Sequence, residues 1–95
     1  MTRSKLNFGQ AIQFLKNGER VAREGWNGDD MWLCLMPPLY LDSDKVNDRT
    51  KKYIGDQDLD CQPYIAMWTA NEKWQPGWLA SQADILAEDW YVLSD

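Results

Sequence analysis

Apolar and polar positions alternate along this chain with two different periods, and the switches between them mark its elements. Phe8, Ala11, Ile12 and Leu15 fall at helical spacing behind Asn7, a good N-cap residue, and Asn17-Gly18 closes the run. This predicts an amphipathic helix over residues 8–17 with Ile12 and Leu15 in the core. Phe8 sits at the first turn, where a ring can project past the helix end. Arg20-Val21-Ala22-Arg23 alternates as a short strand, and Gly25-Trp26-Asn27-Gly28 then turns the chain. Residues 31–36 form a continuous apolar strand, stopped by Pro37-Pro38. Residues 64–69 read as a further strand. Asn71-Glu72 makes a hairpin turn, and Lys73-Trp74-Gln75 returns until Pro76-Gly77. Ser81 caps a short helix over residues 82–87, and residues 90–93 form the last strand.

Two stretches carry no such period. Residues 1–6 are a polar lead. Residues 39–62 are rich in Asp and Lys and read as a long solvated insertion, with a short helix near residues 47–54. The aspartates there lack the spacing and terminal glutamate of an EF-hand loop, so no metal site is expected. The order of elements predicts an α+β fold: a small antiparallel sheet, an N-terminal helix and a short helix before the last strand. Ninety-five residues suit a single domain spanning 1–95.

Composition sharpens this picture at one point. The chain has six tryptophans, and Trp26 and Trp78 lie on turns beside glycine. A ring held on a turn presents a flat face for stacking and an N–H for donation. Trp32, Trp68 and Trp90 lie within strands and are expected in the core or at a subunit interface. A domain this small buries only roughly 60–65% of its unfolded surface, so association is a common remedy.

Charge and chemistry then remove whole classes of function. A formal net charge of −5 argues against sequence-independent binding to duplex DNA, which needs a basic face. The start of the chain has no signal-peptide pattern and no apolar run is long enough to span a membrane, which predicts a cytoplasmic protein. Cys34 lies in an apolar run and reads as a buried thiol, while Cys61 lies near the surface; their spacing fits neither zinc nor redox chemistry. There is no histidine, phosphate loop or nucleophile elbow. Glu88 and Asp89 are adjacent and should point apart, so they make no catalytic pair. Ser81 is a helix cap without a base. No catalytic residue and no cofactor is expected.

A binding inventory remains. Trp26 and Trp78 offer stacking faces, Arg20 and Arg23 offer forked donors suited to phosphate, and Asn27 and Gln82 can read a base edge or a ribose. The helix starts at Asn7 and Ser81 can receive an anion.

The same residues carry a family likeness. Asn7-Phe8-Gly9-Gln10-Ala11, Leu15-Lys16-Asn17-Gly18 and Val21-Ala22-Arg23-Glu24-Gly25-Trp26-Asn27-Gly28 cover the N-terminal half. Trp78-Leu79-Ala80-Ser81-Gln82-Ala83-Asp84-Ile85-Leu86-Ala87-Glu88-Asp89-Trp90 covers the C-terminal end. Together these blocks resemble the second class of Thoeris anti-defence proteins of phages and prophages, a likeness that covers both ends, about two-thirds of the chain. The resemblance implies a molecular sponge. Members of that family bind the cyclic ADP-ribose isomer that a bacterial TIR-domain enzyme makes during infection, and some also bind the cyclic oligonucleotides of CBASS defence at separate sites. They are homotetramers with pockets shared between subunits, acting in the cytoplasm of the infected host. Carried onto this chain, the pocket would use Phe8, Trp26 and Trp78, with Arg23, Asn27, Gln82 and Asp84 as its polar groups. Two other readings stand beside it: an enzyme that cleaves such a nucleotide, and a protein-binding structural module whose tryptophans serve only oligomer contacts.

Overall fold

The computed structural model describes residues 2–26 and 30–94. Helix α1 (Phe8–Lys16) forms because both its ends are satisfied. The Asn7 side chain accepts the Gln10 amide at 2.8 Å, and the Gln10 side chain accepts the Asn7 amide at 2.9 Å. This reciprocal box answers two of the four amides that a helix start leaves open. At the other end Gly18 adopts φ +86°. The Glu19 amide then reaches the Phe14 carbonyl at 3.1 Å and the Gly18 amide that of Leu15 at 3.0 Å, the pairing of a Schellman stop.

Strands β1 (Val21–Arg23), β2 (Trp32–Met36), β5 (Tyr64–Trp68), β6 (Trp74–Pro76) and β7 (Trp90–Val92) make one sheet in the order β6-β5-β2-β1-β7. Every neighbouring pair is antiparallel; Val21 faces Leu33 and Val92, and Trp32 faces Trp68. With helices α1 and α3 (Gln82–Leu86), this is the α+β fold that the pattern predicts. The polar lead is more than a lead. Leu6 is buried and bridges Trp90, with its amide donating to the Trp90 carbonyl at 2.8 Å, and Val92 donates to the Arg3 carbonyl at 2.8 Å. The first residues therefore cover the open edge of β7.

One face of the sheet holds the core. Ala11, Phe14 and Leu15 of α1 pack on Val21, Leu33, Trp90 and Val92, and Leu35, Ile65 and Met67 extend the contact. Each fully buried side chain of this kind contributes ~1.5–3 kcal/mol. Strand alternation sends Trp32, Cys34, Met36, Tyr64 and Trp68 to the other face, which no helix among the described residues covers. There Trp32 stacks on Trp68 at 6.1 Å and meets the edge of Trp74, and Arg20 lies 5.1 Å over the Trp32 ring. One expectation changes here, that of a buried thiol: Cys34 is half-buried on the open face, and burial pushes its thiol up in pKa against the pull of Arg20. Trp32 is half-buried there too, outside the core, which leaves the interface alternative of its expectation.

The acidic insertion is more ordered than its composition suggests. Strand β3 (Leu39–Leu41) pairs with β4 (Leu59–Cys61) as a separate two-stranded ribbon, enclosing a 3-10 turn (Ser43–Lys45) and helix α2 (Asp48–Ile54). Asn47 caps α2 by accepting the Thr50 amide at 2.9 Å. Asp58 accepts the Tyr40 hydroxyl and, at 2.9 Å, the Ser43 amide. That carboxylate pushes the Tyr40 phenol up to about 12 and is itself lowered. Asp58 and Asn47 thus supply local caps, a use that periodicity cannot reveal.

Candidate functional site

Two turns and two helix starts converge at the end of the sheet where β1 and β7 pair. Arg23 ends β1, the chain turns at Glu24-Gly25, and Trp26 follows. On the opposite side Gly77, at φ +79°, lets the chain leave β6, and the Trp78 amide is fixed to the Ile65 carbonyl at 2.9 Å. A non-glycine residue at such a φ is strained, so the turn that carries Trp78 depends on Gly77. Phe8 opens α1, and Trp90 opens β7.

These elements bring Phe8, Trp26 and Trp78 onto one buried ring. Trp90 has no exposed surface, and the other three lean on it with centroids 5.5, 5.4 and 6.2 Å away. They also touch each other: Phe8–Trp78 at 6.5 Å and Trp26–Trp78 at 6.3 Å. Phe8, Trp26 and Trp78 are each half-buried. The sequence expectation set the turn tryptophans apart from the core; in the structure both pack against it while keeping part of each ring in the open. Tilted and edge-on pairs of this kind are the arrangement that aromatic rings favour.

A dense polar network locks this cluster. Arg23 donates from Nη1 to Asp84 Oδ1 and from Nε to Asp89 Oδ1, both at 2.8 Å. Asp84 Oδ1 also accepts the Trp26 indole N–H at 3.0 Å. Asp84 Oδ2 accepts the Ser81 hydroxyl at 2.8 Å and the Ser81 amide at 3.1 Å, while Ser81 Oγ accepts the Asp84 amide. This is a capping box in which the third helical residue is aspartate. The Trp90 indole donates to the Asp84 backbone carbonyl at 3.0 Å. Burial by itself pushes the Asp84 carboxyl up, but hydrogen bonds from Trp26, Arg23 and Ser81 outweigh it and bring the group down to about 2. The Arg23 hydrogen bond lowers Asp89 against a smaller push from burial, and the two carboxylates raise Arg23 in turn.

Five of the seven sequence-selected residues therefore meet at one place: Phe8, Arg23, Trp26, Trp78 and Asp84. Gln82, the first residue of α3, is exposed. Asn27 lies outside the described residues. Arg23 directs two of its donors to carboxylates of the chain itself. Asp89, Gly25 and the floor residue Trp90 were missed as members of the site. Glu88 and Asp89 do point apart, as neighbours should, with Glu88 exposed and Asp89 turned onto Arg23. What sequence reasoning lacked was the partner 66 positions away. Among the described residues, no buried side-chain polar atom is left without a partner. A separate groove of about 290 Å³ runs between the N-terminal segment and α1, lined by Thr2, Leu6, Gln10, Gln13 and Phe14.

Among the described residues no helix is long and apolar enough to cross a membrane. The sequence pattern of the Thoeris anti-defense 2-like domain matches residues 6–93. The chain is also 38% identical over 92 residues to Thoeris anti-defense 2 of Bacillus phage SP01, a match covering 97% of this chain and 99% of that protein. Both matches span the aromatic cluster and its polar lock, from Phe8 through Arg23 and Trp26 to Trp90, and on that ground the chain belongs to the Thoeris anti-defense 2-like family of phage anti-defence proteins.

Proposed function

We propose that the protein is a sponge: it binds a cyclic ADP-ribose-type immune signal on the Phe8–Trp26–Trp78 surface and withholds it unaltered from the host's effector, in the cytoplasm of the infected cell. The observation that carries this reading is the aromatic cluster. Three half-exposed rings are held rigidly over Trp90, and rigidity lowers the entropic cost of capture. A sponge must outcompete a receptor, and nanomolar affinity corresponds to about −12 kcal/mol. Base stacking at ~1–3 kcal/mol per ring supplies part of that; ribose and pyrophosphate contacts must supply the rest. Gln82 and Asn27 are proposed for the ribose or base edge. Arg23 and Asp84 are proposed to act at the pocket wall, where their mutual pairing orients Trp26.

The polar network favours binding over turnover. Asp84 accepts four hydrogen bonds and Asp89 two, and both carboxyls are lowered, so neither is suited to take up a proton near neutral pH. Homotetramer formation, with pockets shared between copies, is part of the same proposal. Two apolar surfaces suit the two interfaces of a dimer of dimers: the open sheet face around Trp32, Trp68 and Trp74, and the region of α3, where Leu79 is 92% exposed and Leu86 73%. Cyclic oligonucleotides are a second candidate class of guest.

The test is incubation with a panel of cyclic nucleotides, followed by gel filtration and mass spectrometry of heat-released ligand. The expected result is one-to-one loss of a cyclic ADP-ribose isomer from the free pool and its return at unchanged mass. Progressive turnover by substoichiometric protein would make this an enzyme. No retention of any nucleotide would leave the tryptophans as oligomer contacts.

A further inference from the structure

We propose that Asp89 is a positioning residue for the candidate ligand site, clamping the turn that presents Trp26. Its effect on ligand affinity rests on the sponge reading above, whereas the clamp itself does not.

Trp26 is pinned at two points. Its indole is held by Asp84, and its backbone follows a turn held largely by Asp89. The Gly25 amide donates to Asp89 Oδ2 at 2.7 Å, the shortest of the bonds along this turn, and the Glu24 amide donates to the Asp89 carbonyl at 3.1 Å. Within the turn, the Trp26 amide reaches back to the Arg23 carbonyl at only 3.3 Å. The other carboxylate oxygen takes Arg23 Nε at 2.8 Å. One ionised side chain therefore ties together the last residue of β1 and the turn that follows.

Gly25 adds an independent observation. It is not in the left-handed region, so backbone conformation does not demand glycine there. Space does: a Cβ at this position would lie 2.7 Å from Asp89 Oδ2 and 3.2 Å from Arg23 Nη2. The missing side chain admits the carboxylate to the turn. An asparagine at 89 could accept from one of the two donors only, because its amide would face the other N–H. The β1–β7 pairing uses backbone bonds around Val21, Ala22 and Arg23, which Asp89→Asn leaves in place.

The experiment follows indole N–H signals in nitrogen-15 spectra, with Trp26 assigned through Trp26→Phe. In Asp89→Asn the Trp26 indole should shift and lose exchange protection, while the Trp90 indole, bonded to the Asp84 carbonyl, stays protected. Gly25→Ala breaks the same contact from the other side and should give the same pattern; the double variant should add little to either alone. If Asp89→Asn does not fold, Gly25→Ala alone decides by the same signals. Calorimetry with the cyclic ADP-ribose isomer made by a TIR-domain enzyme should show Kd raised about tenfold or more in the variants. An unchanged Trp26 indole overturns the clamp. So does equal loss of protection at Trp90, which would make Asp89 a general stability residue. If the wild-type protein ignores the nucleotide, the sponge reading fails, and the indole signals still decide the clamp.

Discussion

In the proposed sponge Trp26 and Trp78 carry two duties at once, and their replacement must separate them. Alanine would remove both the stacking face and the contact with Trp90. Phenylalanine keeps much of the packing and shrinks the face. Trp78→Phe should weaken ligand binding, by up to the ~1–3 kcal/mol scale of one stacked base, with little change in thermal midpoint; calorimetry and thermal melts check the pair. Trp90→Ala should instead cost ~3–5 kcal/mol of stability, read by denaturant unfolding. The carboxylates beneath them add a pH signature. Asp84 and Asp89 are lowered in the folded state. Their contribution is complete above the unfolded carboxyl value of about 4 and is lost as pH falls through the folded value, near 2 for Asp84. Stability measured from pH 5 down to pH 2 should therefore fall more steeply in the wild-type protein than in Asp84→Asn, which lacks that proton linkage. Equal slopes would mean that Asp84 is not depressed. At this scale the sequence marked the turn tryptophans and the Ser81 cap, because turn glycines and cap residues are local signals. It could not tell that Arg23 faces Asp84 and Asp89, 61 and 66 residues on.

The elements were legible wherever period and cap agreed. The helix expected over residues 8–17 appears as α1, ending one residue earlier at Lys16, and the apolar run 31–36 appears as β2. The β3–β4 ribbon was not legible, since its short strands lie in a stretch rich in Asp and Lys, and their pairing joins residues about 20 positions apart. Its attachment suggests a direct test. Met36 and Tyr64 are register partners at the ends of β2 and β5, so a two-residue Asn-Gly turn could join them in place of residues 37–63. The shortened chain should keep the main sheet and the aromatic cluster, with its indole spectrum preserved. Loss of ligand binding in a folded shortened chain would assign the ribbon a share in the pocket. The cap of α1 makes a smaller prediction. Gly18→Ala forces a side chain into φ +86° and should cost ~1–2 kcal/mol in unfolding experiments.

For the molecule as a whole, the main question is what covers the open face of the sheet. An antiparallel sheet that meets water on one side normally alternates apolar with polar residues. Here β2 and β5 are apolar on both faces, and the three aromatics Trp32, Trp68 and Trp74 gather on the uncovered one. Trp32→Ala should therefore act on assembly more than on folding: light scattering should report a smaller particle than the wild-type protein gives. An unchanged particle size would remove this face from the interface. The six tryptophans thus fall into two groups of three, Trp26, Trp78 and Trp90 on the core side and Trp32, Trp68 and Trp74 on the other. Because neighbouring indoles couple electronically, the chain carries two optical reporters in its own sequence. Adding a guest at fixed protein concentration should perturb the emission of the first group, and diluting the protein that of the second, so capture of a guest and association of copies could each be followed in the unaltered protein, without an attached dye.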